Sequence, residues 1–110
     1  MIEVTVYKTM RHEYAGFDMS GHAGYDDIGK DIVCAAVSVL VINTLNSIER
    51  FTDDKTSCVS DEETGMISWH LEGNPSKEAG LLLNTMILGL KGMADDENYE
   101  EYIDLTFEEV

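Results

Sequence analysis

The chain opens with apolar residues at every second position, Ile2, Val4 and Val6, set against Glu3, Thr5 and Tyr7. A period of two marks a strand with one buried face. A polar stretch from Lys8 to Glu13 follows. Tyr14 to Ser20 then alternates again, with Phe17 and Met19 opposite Asp18, which predicts a hairpin with the first strand. Gly21, Gly24 and Gly29 punctuate an irregular loop. From Asp31 to about Arg50 the spacing changes to threes and fours through Ile32, Val33, Ala36, Val39, Leu40, Asn43 and Ile48. This predicts a long helix, apolar on nearly every side before Asn43 and therefore expected to be covered on more than one face. Asp31 suits its N-cap or first turn, where a carboxylate accepts from free backbone N–H groups at the positive end of the dipole.

Lys55 to Ser60 and Gly65 to Glu72 read as two more short strands around the turn-like run Asp61 to Gly65. Asn74-Pro75 signals a helix start, with Asn74 or Ser76 as cap, and Leu82, Met86, Gly89, Leu90 and Met93 supply the apolar stripe. Asp95 to Asn98 breaks that pattern. The tail from Tyr99 to Val110 alternates as a last strand, its acidic residues reading as a solvated strand edge. The expected fold is α+β and two-layered, a mixed sheet with two helices on one face, in the order strand-strand-helix-strand-strand-helix-strand. Residues 1–110 are expected to form a single domain.

Composition narrows the partners. Asp and Glu number 22 against 7 Lys and Arg, a formal net charge of -15. Direct nucleic-acid binding is not expected, because phosphate contact needs basic surface. A basic protein or peptide suits the charge, and so does solubility alone. Met1 to Met10 carries Glu3 and Lys8 and alternates like a strand, unlike a secretory leader, so a cytoplasmic location is expected. The uncharged run from Ile32 to Ile48 is only about 17 residues and holds five polar side chains, so no membrane span is expected. In a reducing compartment Cys34 and Cys58 stay thiols, each either a small buried group or a reactive one.

Cys34 falls in the first turn of the long helix, an environment that favours a thiolate. The loop is long enough to bring His22 against it, as a base beside a nucleophile. Asp26, Asp27 and Asp31 flank the pair, and negative charge near a thiol works against ionisation unless a carboxylate is aimed at the imidazole. On spacing alone, a cysteine at the start of an apolar helix also reads as core, and His22 as a loop residue. Backbone N–H groups around Ile32 to Ala35 are candidates to hold an oxyanion. Metal is not expected, since neither a second nearby cysteine nor a paired histidine is present, and no cofactor is implied. Cys58 and His70 read as strand residues and His12 as part of a polar turn.

Gly21-His22-Ala23, followed by Gly29, Lys30 and the run Asp31-Ile32-Val33-Cys34-Ala35-Ala36-Val37-Ser38, resembles the bacterial ribosomal-processing cysteine proteases called Prp. The resemblance implies a cysteine endopeptidase that removes the N-terminal extension of large-ribosomal-subunit protein 27 during ribosome assembly, after an apolar, aromatic-containing motif. It implies His22 as general base and acid, Cys34 as nucleophile, and a homodimer joined through helices. Asp31, Ser38 and Gly21 are supporting candidates: Asp31 to fix the helix start or orient His22, Ser38 to sit one turn beyond the sulfur. Ala23, Gly24, Tyr25 and Gly29 are substrate-loop candidates. Two other readings of the residues are a non-enzymatic acidic dimer that binds a basic ribosomal partner, and a thiol redox sensor at Cys34.

Overall fold

The computed structural model describes residues 1–27 and 31–110. Its elements run β1 (Ile2–Lys8), β2 (Tyr14–Ser20), α1 (Ile32–Phe51), β3 (Thr56–Asp61), β4 (Met66–Leu71), α2 (Lys77–Ala94) and β5 (Ile103–Glu109). The element order and the α+β class are those the hydrophobic pattern predicts. Tyr99 to Tyr102 differ from expectation: they form a turn, and the last strand starts only at Ile103. Tyr99 N–H bonds to Asp96 O and Tyr102 N–H to Tyr99 O, so the alternation there is that of a tight turn packing its tyrosines.

The five strands lie in the order β3-β4-β2-β1-β5. β1 is antiparallel to β2 and parallel to β5, while β4 is antiparallel to both β2 and β3. Register explains the core. Val6 pairs with Phe17 and Phe17 with Trp69, Val4 pairs with Met19, and Ile2 pairs with Ile103, so one face collects the large side chains. α1 lays Val33, Val37, Val41, Thr44 and Ile48 on that face, and α2 adds Ala79, Leu83, Met86, Ile87 and Leu90. The stripe on α1 is therefore rotated from the one its sequence suggested: Ile32 is 55% and Val39 69% exposed. A helix apolar all round does not disclose which side meets its sheet. α1 also has the length and mean hydropathy (1.7) of a membrane span, yet its buried stripe is committed to the sheet.

The connections position the site. β2, α1 and β3 form one crossover between parallel strands, with β4 inserted between them, and β4, α2 and β5 form another. The carboxyl end of β2, the start of α1 and the β3–β4 turn consequently share one end of the sheet, where crossover folds place their ligands.

Candidate active site

β2 ends against the start of β1, and the chain must turn there. Gly21 has φ +88, and a Cβ on it would stand 2.4 Å from the Met1 carbonyl oxygen, so only glycine fits. The turn carries His22 onto the lip of the sheet, exposed, with its Nε2 2.9 Å from the Glu63 carbonyl oxygen. Ala23 then drops into the core at 3% exposure, and its N–H points at Cys34 Sγ at 3.1 Å. The amide donates in this contact and the sulfur accepts.

Asp31 builds the other half. It caps α1 with Oδ1 accepting from the Val33 and Cys34 N–H groups, both at 3.0 Å. Its Oδ2 accepts from Tyr25 N–H at 2.9 Å and Asp26 N–H at 3.4 Å, which ties the returning loop to the helix. Burial pushes the Asp31 carboxyl up. The amides of Cys34, Asp26 and Tyr25, with the Cys34 side chain, favour the anion more strongly, and the balance lies below the ordinary carboxylate value. Both carboxylate oxygens are thus turned to main-chain amides. The Ala35 N–H also donates to Asp31 O at 3.0 Å. Of the amides from Ile32 to Ala35 expected as oxyanion candidates, the cap has taken those of Val33 and Cys34, and the helix that of Ala35.

Cys34 is half-buried and lines a groove of about 530 Å³ between α1 and the β3–β4 hairpin, together with Gly21, His22 and Ser38. Met19, Ile42, Leu45, Ile67 and Trp69 contribute apolar walls, and Glu49, Asp61 and Glu62 contribute carboxylates, with no lysine or arginine lining it among the described residues. Such a trough suits an extended peptide carrying an apolar side chain and basic neighbours. Ser38 stands one turn beyond Cys34 on the same wall. No hydrogen bond joins His22 to Cys34 among the described residues.

The loop candidates separate. Ala23 is buried and Gly24, at φ +74, is exposed, while the supporting candidate Gly21 lines the groove. Tyr25 turns away to pack on Tyr99 and edge-on against Tyr102, at ring separations of 6.2 and 5.1 Å. Gly29 lies outside the described residues. Cys34 and Cys58 are free thiols, and Cys58, which the sequence marks only as a strand residue, opens onto the same groove. Nothing local in Asp61 to Gly65 signals that the carbonyls of Glu63 and Thr64 contact residues 21 and 22. Among the described residues no group of three or more His, Cys, Asp or Glu side chains could hold a metal ion.

A second cluster decorates the opposite, helix-free face of the sheet. Ser68 Oγ donates to Asp18 Oδ1 at 2.6 Å and lies 3.2 Å from His70 Nε2, and Tyr7 OH donates to Asp18 Oδ2 at 2.8 Å. It holds Ser, His and Asp without the geometry of a triad. Serine and aspartate both approach Nε2, whereas a triad needs them on opposite ring nitrogens.

Comparison with known proteins identifies the family. A sequence profile described as cysteine protease Prp matches residues 1–104. The ribosomal processing cysteine protease Prp of Staphylococcus aureus strain Mu50 is 32% identical over 89 residues, covering 81% of this chain and 82% of that protein. The protein of the same name from Bacillus subtilis strain 168 is 26% identical over 110 residues, 96% of each chain. The crystal structure of the S. aureus ribosomal processing protease Prp with a covalently linked product peptide superposes with a TM-score of 0.91 at 29% identity, covering 98% of this chain and all of that one. The same protease with a substrate peptide gives 0.86 at 28% identity and the same coverage. With that profile spanning residues 1–104 and a relative 32% identical over four fifths of the chain, the chain belongs to the Prp family of cysteine proteases.

Proposed function

We propose that residues 1–110 form one protease domain that removes the N-terminal extension of large-ribosomal-subunit protein 27 by a His22/Cys34 dyad. The observation that carries this reading is the placement of Cys34 Sγ at the α1 N-terminus, under the Ala23 N–H and in one groove with His22. Membership in a protease family sets aside the non-enzymatic module and the redox sensor. The acidic, apolar-walled groove supports a basic precursor with an apolar segment as substrate.

In this mechanism His22 takes the proton from Cys34, and the thiolate attacks the scissile carbonyl carbon. The tetrahedral intermediate collapses with cleavage of the C–N bond, and the imidazolium gives its proton to the leaving amine. A water deprotonated by His22 then attacks the thioester, the C–S bond breaks, and the proton returns to sulfur. Asp31 acts by fixing the helix start and the loop. The domain works in the cytoplasm as a homodimer, a reading supported by apolar side chains on the helices that the sheet leaves uncovered, among them Val39 and Phe51 on α1 and Leu81 and Leu88 on α2.

The test is mass spectrometry of the extended ribosomal protein after incubation with wild type, Cys34→Ala and His22→Ala. Wild type yields the trimmed protein and both variants leave it intact. Undiminished trimming by either variant overturns the dyad.

A further inference from the structure

Two segments far apart in the chain meet at His22. From one side comes the end of β2, and from the other the turn between β3 and β4. Besides the contact of His22 Nε2 with Glu63 O, the Gly21 N–H donates to Thr64 O at 2.9 Å. Gly65, at φ +67, closes the joint: a Cβ there would stand 2.3 Å from the Gly21 carbonyl oxygen and 3.4 Å from His22 Cε1. The turn is held by its own bonds, Glu63 N–H to Asp61 Oδ1 at 3.0 Å and Gly65 N–H to Glu62 O at 3.3 Å.

The contact has a direction. A carbonyl oxygen carries no proton, so the hydrogen between it and the ring belongs to Nε2. A neutral imidazole has one N–H, which leaves Nδ1 as the bare nitrogen able to accept a proton. The group that orients a catalytic histidine is usually a side-chain carboxylate or amide. Asp31, the carboxylate built into this helix start, has both oxygens on main-chain amides.

We propose that the β3–β4 turn completes the catalytic device: the Glu63 main-chain carbonyl holds His22 as the Nε2–H tautomer and makes Nδ1 the base for Cys34, with Gly65 as the positioning residue that permits the approach. This rests on the His22/Cys34 reading and adds its orienting group. Nδ1 takes the proton from Sγ, the Nε2–H stays on the carbonyl, whose dipole steadies the imidazolium, and the Nδ1 proton passes to the leaving amine.

Long-range proton–nitrogen NMR on protein labelled with ¹⁵N-histidine reads the tautomer directly, and the chain has three histidines to assign. Neutral His22 is expected to show the Nε2–H pattern, and a dominant Nδ1–H pattern overturns the proposal. Gly65→Ala is compared with Gly73→Ala, which also strains a left-handed residue (φ +109) but places its Cβ where no atom lies within 4 Å. Gly65→Ala is expected to lower kcat at least about tenfold with KM within about twofold, and to mix the His22 tautomers, whereas Gly73→Ala does neither. Wild-type kcat and tautomer in Gly65→Ala overturn the proposal. If that variant does not fold, replacing the Glu63–Thr64 amide by an ester weakens the same carbonyl without altering a side chain; a smaller Nε2–H population supports the proposal, and an unchanged one overturns it. Trimming by Cys34→Ala would overturn the dyad while leaving the tautomer assignment in place. An Nδ1–H tautomer alongside inactive Cys34→Ala and His22→Ala overturns this proposal alone.

Discussion

The two faces of the sheet each carry a histidine, a hydroxyl or thiol, and a carboxylate, and only one arrangement lines a groove. On the open face, Asp18, Ser68, His70 and Tyr7 satisfy one another on a surface that leaves His70 and Asp18 45% and 46% exposed. On the helix side, Cys34 sits in a groove at a helix N-terminus, and its carboxylate neighbour is occupied with backbone amides. Residue types alone do not distinguish these clusters. Concavity and the direction of each hydrogen bond do.

The sharpest way to break the comparison is to remove one member from each side. Cys34→Ala or His22→Ala is expected to reduce trimming by at least about a thousandfold while far-ultraviolet circular dichroism stays native. Ser68→Ala is expected to leave kcat/KM within about twofold, and a loss comparable to that of Cys34→Ala would place the catalytic centre on the open face.

Trp69 lies between Ser68 and His70 in sequence, yet its side chain enters the core and reaches the groove wall. Trp69→Ala is expected to destabilise the fold by about 3–5 kcal/mol through the cavity it leaves, measured by urea denaturation. A loss below about 1 kcal/mol would mean that the two faces are not divided by a packed core.

Asp31 and Asp18 differ in the same sense. Both carboxyls are held below the ordinary value, Asp31 with its amide partners and Asp18 with Ser68, Tyr7 and His70 outweighing desolvation. A depressed value means stability that is present above the ordinary 3.8 and lost as pH falls below it. Asp31→Ala is expected to cost about 1–2 kcal/mol at neutral pH, as loss of a helix cap does, and to flatten the acid limb of the stability profile. Denaturation curves at successive pH values check this, and an unchanged acid limb would remove Asp31 from the account. The smallest effect belongs to His70→Ala, within about 0.5 kcal/mol at neutral pH, because its contacts are half in solvent.

Much of this molecule is legible in one dimension. Period-two and helical spacings located all seven elements, Asp31 announced its cap, and the motif around His22 and Cys34 carried the family. Local patterns succeed there because strand alternation, capping and a short motif are each written within a few residues. The rotated stripe on α1 was not legible, since Ile32 and Val39 are as apolar as Val33 and Val37. The run at Tyr99 alternates as a strand does, and only its hydrogen bonds, Tyr99 N–H to Asp96 O and Tyr102 N–H to Tyr99 O, make it a turn.

The sequence by itself determined the elements, the acidic surface and the thiol at the head of a helix. Only the tertiary structure decided which carbonyl meets His22, that Cys58 opens onto the same groove, and that the Ser68 cluster lies on the opposite face. Those outcomes depend on the register between strands and on the insertion of β4 between β2 and β3, which bring the β3–β4 turn beside the end of β2. Contacts across 41 residues of chain, like that of His22 with Glu63, leave no local signature, because they are made by backbone groups that every residue carries.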